Sequence, residues 1–253
     1  MAEGAVYVYG VLPASERAAS DVVGVGGSKV RRVEEASLAA VISDLPGDSL
    51  NAPREVRNHW RVLEGIGEDA TVLPARFGTV MESERAVRQR LLGAIGERLK
   101  HLLDDLAGRT QLNVTGRYEE EHLLREVVKR SPQVAALRER VRRVPGDAAY
   151  YDRIRLGELV AAEIARRREE DSAAAQERLG RFAVSSRVEE PRTADTAFNL
   201  SFLVERPRVE EFSRAVAVLA DEVGERMRIR YVGPLPPYSF ADADLTDRSE
   251  AWA

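Results

Sequence analysis

The fold is decided by four consecutive stretches of the chain: FAVSSRV (182–188), FNLSFLV (198–204), VEEFSRAVAVLADEVG (209–224) and MRIRY (227–231). The first, second and fourth alternate apolar and polar residues, which predicts half-buried strands. In the third, apolar residues recur at steps of three and four, and a glycine follows where a helix would end, so we predict a helix. This part of the chain therefore has the order strand, strand, helix, strand.

The sequence upstream of these stretches adds one strand and several helices. Residues 111–118 have a strand pattern, while residues 119–143 and 150–179 are helical, with Ser131-Pro132 separating two helices in the first of these ranges. From this strand onward the order is strand, helices, strand, strand, helix, strand. That is the βαββαβ order of a ferredoxin-like sandwich with an enlarged first crossover. The residues of the long helix that we expect to face the core are Leu156, Val160 and Ile164.

The residues before 110 predict a separate α+β unit. Its expected elements are a strand at Ala5–Val11, a hairpin with strands at 29–34 and 38–43, a helix beginning at Pro53, an extended segment at 71–80 and a helix over 83–106. The apolar stripe of the first helix is Val56, Trp60, Leu63 and Ile66. The second helix is predicted to have Ser83 as its N-cap, Gly108 after its end, and a stripe formed by Val87, Leu91, Ile95, Leu99, Leu102 and Leu106.

These patterns predict an α+β protein of two domains. We place an N-terminal α+β domain at 1–109 and a ferredoxin-like domain at 110–238, with a helical insertion at about 119–180 and a tail at 239–253. In the ferredoxin-like part, the alternation predicts that Phe198 and Phe202 face the helices.

The composition restricts the classes of function. The 253 residues carry a formal net charge of −4, which argues against a nucleic-acid-binding protein because such proteins usually have a basic excess. The absence of cysteine excludes disulfides, thiolate catalysis and cysteine metal sites. The first ten residues contain no basic region, and no apolar run approaches the roughly 18 residues that span a bilayer. We therefore expect a cytoplasmic protein without a signal peptide or membrane segment.

The titratable residues do not form a recognisable catalytic motif. His59, His101 and His122 lack the spacing of metal ligands, and we expect all three to be ordinary surface or boundary residues. The glycine-rich segment 24–29 lacks the spacing of a phosphate-binding loop and is expected to be a flexible surface loop. The acidic runs are expected to be solvated surface; they lie at 119–121, 169–171 and 189–190. No catalytic, cofactor-binding or metal-binding residue is predicted.

Several other stretches are hard to explain as generic packing. Residues 73–80 place a proline and a glycine within a predicted strand, where both weaken the ladder. Gly157 lies inside a helix, where it costs about 1 kcal/mol relative to alanine, and we expect close packing against another backbone to compensate. The residues that stand out, with an unassigned structural or interaction role, are Tyr7, Tyr9, Gly10, Pro74, Arg76, Phe77, Gly78, Arg153, Gly157, Asn199, Phe202, Gly233, Pro234, Pro237, Tyr238 and Phe240.

Five stretches in this order resemble the signature segments of the gas vesicle GvpF/GvpL family: 6–11, 73–80, 150–160, 199–204 and 233–240. The resemblance covers nearly the whole chain. It departs from the family pattern at Leu235, where many relatives are expected to carry tryptophan. The sequence alone does not distinguish an F-type from an L-type member.

The resemblance implies two α+β domains, the second a modified ferredoxin-like fold, and an accessory role in gas vesicle formation. It implies contacts with a GvpA-like shell protein and with other accessory Gvp proteins, in the cytoplasm and associated with gas vesicles. It carries over no catalytic or cofactor residues, so no enzyme is expected. The alternative is a ligand-binding or regulatory module on a ferredoxin-like sheet, and an enzyme or RNA-binding domain is a third class.

The C-terminal segment 233–240 is rich in proline and contains two aromatic residues. Its prolines restrict the backbone, which lowers the entropy lost on docking, and Tyr238 and Phe240 lie two residues apart, on one side of an extended chain. We therefore predict that 233–240 is ordered and packs near the seam between the domains, whereas 245–253 is loosely held. The alternative is an exposed proline-rich peptide recognised by another protein.

Overall fold

A computed structural model describes residues 4–16, 22–47, 50, 53–144 and 146–241 of the chain. The chain divides into two compact units. Unit 2 is Leu112–Gly233, and unit 1 contains the residues up to Gln111 together with the described part of the segment that begins at Pro234. Within the described ranges, no helix combines the length and the apolar character needed to cross a bilayer.

Unit 1 is a sheet with helices packed against it. Its strands are β1 (Val6–Pro13), β2 (Arg31–Glu35), β3 (Leu38–Asp44), β4 (Leu73–Pro74) and β5 (Val80–Met81). Its helices are α1 (Pro53–Asp69), α2 (Glu84–Ala86), a π-helical segment (Val87–Gly93) and α3 (Gly96–Leu106), with a 3₁₀ turn at Val25–Gly27. The strand order is β2-β3-β1-β4, and β5 also pairs with β1. The predicted hairpin is confirmed, because β2 and β3 pair antiparallel.

Strand β1 lies in the middle of the unit 1 sheet and is buried along nearly its whole length. One edge pairs with β3, while the other pairs with the two short strands β4 and β5. The segment predicted to be extended over 71–80 thus forms two short strands and not one. Pro74 has no N–H to continue a ladder, and Gly78 has a φ of +89°, so the chain turns between the two short strands.

The helix predicted over 83–106 is interrupted. Ser83 caps it as predicted, since its Oγ accepts the N–H of Ala86 at 3.1 Å. A π-helical turn follows, and the backbone leaves helical geometry at Ile95. Beyond this interruption the predicted stripe largely holds: Leu99 and Leu106 are buried and Leu102 is half-buried. Leu103, which lies on the same helix face but was not in the predicted stripe, is buried as well. Gly108 ends the helical region with a φ of +68°, as predicted.

Unit 2 is built on a four-stranded sheet covered by helices. Its strands are β6 (Arg109–Tyr118), β7 (Ser185–Val188), β8 (Thr196–Glu205) and β9 (Met227–Leu235). Its helices are α4 (Glu120–Arg130), α5 (Pro132–Arg143), α6 (Tyr150–Gly180) and α7 (Val209–Val223). The strand order is β7-β8-β6-β9, with β6 and β8 in the centre. The α+β class is confirmed, and the elements follow each other along the chain in the predicted βαββαβ order.

The core of unit 2 lies between this sheet and its helices. Phe202 on β8 packs on Phe212 of α7, with ring centroids 5.1 Å apart, as expected for a helix-facing residue. Phe198 is buried over Gly116, where an added Cβ would come within 2.6 Å of the Phe198 ring. The α6 residues predicted to face the core do pack against it: Leu156, Val160 and Ile164.

Candidate functional site

Strand β1, helix α1 and the C-terminal segment converge on one histidine inside unit 1. The Tyr7 hydroxyl lies 2.9 Å from His59 Nδ1, and the Tyr238 hydroxyl lies 2.8 Å from His59 Nε2. The backbone N–H of Gly78 donates to the Tyr7 hydroxyl at 3.0 Å. Both ring nitrogens of the histidine are therefore hydrogen-bonded, each to a phenol from a distant part of the chain.

Aromatic packing surrounds these hydrogen bonds. The ring of Tyr9 stacks on His59 with centroids 5.7 Å apart, and Phe77 meets the same imidazole edge-on at 5.7 Å. Tyr7 lies between them, 4.9 Å from Tyr9 and 6.1 Å from Phe77. We call the set of Tyr7, Tyr9, His59, Phe77 and Tyr238 the tyrosine–histidine cluster. Phe77 is 37% exposed and Tyr238 is half-buried, whereas the other three members are buried.

The electrostatics of the tyrosine–histidine cluster keep it neutral. Burial lowers the pKa of His59 to about 4, and only 1% of the residue is exposed. Burial likewise raises the pKa of Tyr7 and of Tyr238, so both phenols stay protonated at neutral pH. A neutral, hydrogen-bonded network fixes the positions of its members and is poorly suited to general acid–base chemistry near neutral pH, which requires a group poised to titrate there.

The glycine-rich segment 24–29 belongs to the same structure. Its Val25 is buried and donates its N–H to the Tyr9 hydroxyl at 2.7 Å. Gly26 donates to Glu55 Oε2 at 2.8 Å, and this hydrogen bond lowers the pKa of the carboxyl group. Gly24 is required by the close approach of Tyr9, because an added Cβ would lie 2.2 Å from its hydroxyl. The expectation of a flexible surface loop is therefore wrong: the segment is docked on β1 and α1.

His59 is buried, so the prediction of a surface or boundary residue is wrong. The predicted core-facing stripe of α1 is confirmed in part, since Leu63 and Ile66 are buried and Trp60 is half-buried. The buried face of α1 includes Glu55 and His59, while Val56 is exposed. Apolar periodicity could not find this, because two of the inward-facing residues are polar. Tyr7 and Tyr9 could have indicated a buried polar partner. They share one face of a buried strand, where their hydroxyls need hydrogen-bond partners.

The other residues of unit 1 that stand out in the sequence lie next to the tyrosine–histidine cluster. Gly10 allows β4 to approach β1, since an added Cβ would lie 2.7 Å from the carbonyl oxygen of Leu73. It pairs directly with Pro74. Arg76 and Gly78 are exposed on either side of Phe77. The structure thus brings the opening strand and the 73–80 stretch together, as two sides of one site.

The predicted docking of the C-terminal segment is confirmed within unit 1. Tyr238 packs on Trp60 with ring centroids 4.5 Å apart, in addition to its hydrogen bond to His59. Ser239 exchanges two hydrogen bonds with the side chain of Gln111, at 3.1 and 2.8 Å. Pro237 is buried and Phe240 is half-buried, whereas Gly233 and Pro234 are exposed. The segment 245–253 lies outside the described residues.

The residues of unit 2 that stand out in the sequence do not form a shared site. Asn199 Oδ1 accepts a hydrogen bond from Thr115 at 3.0 Å, which ties neighbouring strands together. Phe202 is a core residue, and Arg153 is exposed on α6. The expectation that Gly157 packs closely on another backbone is wrong for the described residues, because nothing lies within 4 Å of an added Cβ and the residue is exposed.

One acidic run is also less solvated than expected. Asp171 accepts hydrogen bonds from Tyr118 at 2.7 Å and from Arg226 at 2.9 Å. Arg167 lies one turn earlier on the same face, with its Nε 3.5 Å from the Asp171 carboxylate. This face continues the apolar stripe through Ile164, which explains why a charged residue there turns inward. Among the described residues, no group of three or more acidic or histidine side chains is placed to hold a metal ion.

Comparison with known proteins agrees with this architecture. The family described as "Gas vesicle synthesis protein GvpL/GvpF" matches residues 5–242. The chain is 33% identical to gas vesicle protein F of Streptomyces sp. (strain CB03234), over 93% of this chain and 99% of that protein. It is 29% identical to gas vesicle protein F2 of Halobacterium salinarum, over 97% and 95% of the respective chains. The crystal structure of GvpF from Anabaena sp. PCC7120 has the same fold, with a TM-score of 0.81 at 24% identity, over 95% of this chain and 99% of that one.

Proposed function

The chain belongs to the gas vesicle synthesis protein GvpL/GvpF family, and from this premise we propose that it assists the assembly or nucleation of gas vesicles. It does so by binding a GvpA-like shell protein and other accessory Gvp proteins. It acts in the cytoplasm, in association with the growing vesicle, and it catalyses no reaction.

The observation that carries this proposal is the position of Phe77. Its ring is partly exposed, yet it is held from below by edge contacts with His59 and by Tyr7. Arg76 and Gly78, which flank it, are exposed as well. An aromatic side chain on a rigid base loses little conformational freedom on binding, which is why such residues often dominate the energy of an interface. The tyrosine–histidine cluster thus supports a binding surface better than a reaction centre.

The physical demands of shell assembly agree with a binding role. A shell subunit that buries its apolar face only in the polymer would aggregate if it were released free into water. A partner that covers this face until the subunit joins the vesicle prevents that aggregation and restricts where polymerisation starts. The exposed Phe77 offers an apolar contact of the right kind.

A capture experiment tests the proposal. Tagged full-length protein is incubated with the GvpA-like shell protein of its host, and binding is compared for the wild type, Phe77→Ser and Val218→Ser. Val218 is an exposed apolar residue on α7 and serves as the matched control. We expect Phe77→Ser to weaken shell-protein binding about tenfold or more, and Val218→Ser to leave it unchanged. A wild-type protein that captures no shell protein would refute the proposal and favour the ligand-binding alternative.

A further inference from the structure

The first turn of α6 in unit 2 exposes three large apolar side chains. Tyr150 is 56% exposed, Tyr151 is 82% exposed and Ile154 is 46% exposed. The two tyrosine rings meet edge-on with centroids 5.4 Å apart. We call these three residues the tyrosine patch. Tyrosine is enriched in the buried centres of protein interfaces because it brings a large apolar area with few rotatable bonds.

The base of the tyrosine patch is fixed. Asp152, on the same turn, accepts a hydrogen bond from Arg140 Nε of α5 at 2.7 Å, which joins the two helices. Ala149, directly before the patch, is fully buried. The exposed side chains therefore project from a well-supported helix end.

The side of α6 next to the tyrosine patch carries small side chains. Gly157 and Ala161 follow Ile154 at steps of three and four, which places them on the same side of α6, and both are exposed. Neither has a side chain that would keep a second helix away. Small residues in such a row allow helix axes to approach closely, so the patch and this row together suit an incoming helix.

The rim of the tyrosine patch is rich in arginine. Arg153 and Arg155 flank Ile154 along the chain, and the last turn of α5 adds Arg140, Arg142 and Arg143. Three carboxylates whose side chains the structure describes pair with these arginines: Asp152 with Arg140, Glu139 with Arg142 and Glu158 with Arg155. Arg143 has no carboxylate partner among the described residues. Counted over the described side chains, five arginines of the rim face three carboxylates, so this surface has a positive excess although the whole chain has a net charge of −4.

We propose that the tyrosine patch binds an acidic amphipathic helix of another gas vesicle protein. Apolar side chains of that helix contact Tyr151 and Ile154, and its carboxylates pair with arginines of the rim such as Arg143. A second copy of this chain fits less well, because two identical patches would bring their arginine rims together. The identity of the partner class rests on the proposed function, while the surface differs from the one at Phe77.

Pairwise binding measurements test this inference. Full-length protein is titrated against each purified Gvp protein of a vesicle-forming host, using the wild type, the double variant Tyr151→Ser/Ile154→Ser, the double variant Arg143→Glu/Arg153→Glu, Phe77→Ser and Val218→Ser. For one Gvp protein, we expect both double variants to weaken binding about tenfold or more, and Phe77→Ser and Val218→Ser to have no effect. Binding of that protein should weaken as salt rises. A peptide spanning its acidic helix should compete, and the same peptide with amides in place of carboxylates should not.

The outcomes separate this inference from the proposed function. If Phe77→Ser loses the shell protein while both double variants bind every Gvp protein as the wild type does, the proposed function stands and the tyrosine patch inference is wrong. If the patch variants no longer bind an accessory Gvp protein and the wild type fails to bind the shell protein, the tyrosine patch inference stands and the proposed function is wrong. The inference would also be overturned if the protein bound polyuridylate RNA or anionic phosphatidylserine vesicles and Arg143→Glu/Arg153→Glu alone abolished that binding. The surface would then be assigned to RNA or to a membrane.

Discussion

Replacing Tyr238 by phenylalanine isolates the hydrogen bond that ties the C-terminal segment to His59. The substitution removes one hydroxyl and keeps the ring that packs on Trp60, so it leaves no large cavity. It does leave His59 Nε2 buried without the partner that now lies 2.8 Å away. A buried polar atom that loses its partner costs about 1–3 kcal/mol, and we expect unit 1 to lose stability in this range.

Fluorescence of Trp60 during urea denaturation measures this loss. The chain contains a second tryptophan, Trp252, so the experiment is done in a Trp252→Phe background, in which the signal reports only on α1 of unit 1. With a urea dependence of about 2 kcal/mol per molar, a loss of about 1–3 kcal/mol lowers the midpoint by roughly 0.5–1.5 M. The matched control is Tyr151→Phe, which removes an equivalent hydroxyl from a residue that is largely exposed.

The control decides how the result is interpreted. Equal midpoints for Tyr238→Phe and Tyr151→Phe would show that the His59–Tyr238 hydrogen bond does not stabilise unit 1, and the docking of the C-terminal segment would then depend on ring packing alone. If the midpoint falls in Tyr238→Phe and stays unchanged in Tyr151→Phe, the hydrogen bond between His59 and Tyr238 stabilises the docking of the C-terminal segment.

Three further predictions concern the same two cores. Gly24→Ala should destabilise unit 1 by about 1–3 kcal/mol in urea denaturation, because its Cβ would meet the Tyr9 hydroxyl, while Gly65→Ala in α1, whose Cβ would meet only Val22 at an ordinary 3.8 Å, should not destabilise it. Gly116→Ala should destabilise unit 2 by a similar amount through its clash with Phe198, measured by thermal circular dichroism. Since burial lowers the pKa of His59 from 6.5 to about 4, the unfolded state binds the proton first, and unit 1 should lose roughly 3 kcal/mol as the pH falls from 6.5 to 4; His59→Gln should flatten this dependence.

The order of elements could be predicted because it depends on local periodicity. The alternation in β8 and the stripe of α7 are set by residues that lie close together in the sequence, and both elements form where the pattern indicates. The turn glycines Gly108 and Gly224 were identifiable for the same reason, since each follows the last apolar residue of a helical stripe.

The tyrosine–histidine cluster could not be predicted in this way. Its stability depends on hydrogen bonds between Tyr7, His59 and Tyr238, which are separated by 52 and 179 residues along the chain. Periodicity treats histidine as a polar residue and assigns it to the surface, whereas burial is possible here because distant phenols satisfy both ring nitrogens. The inward turn of Asp171 escaped prediction for the same reason, since its partners Tyr118 and Arg226 come from other elements.

The placement of Tyr238 affects how the chain matures on the ribosome. The strands and helix α1 of unit 1 leave the ribosome early, but the last hydrogen-bond partner of His59 is translated 179 residues later. Until then Trp60 and one side of His59 lack the ring that covers them. A polypeptide that terminates before residue 234 therefore presents an unfinished N-terminal unit to chaperones and proteases, because the segment that carries Tyr238 is missing from it.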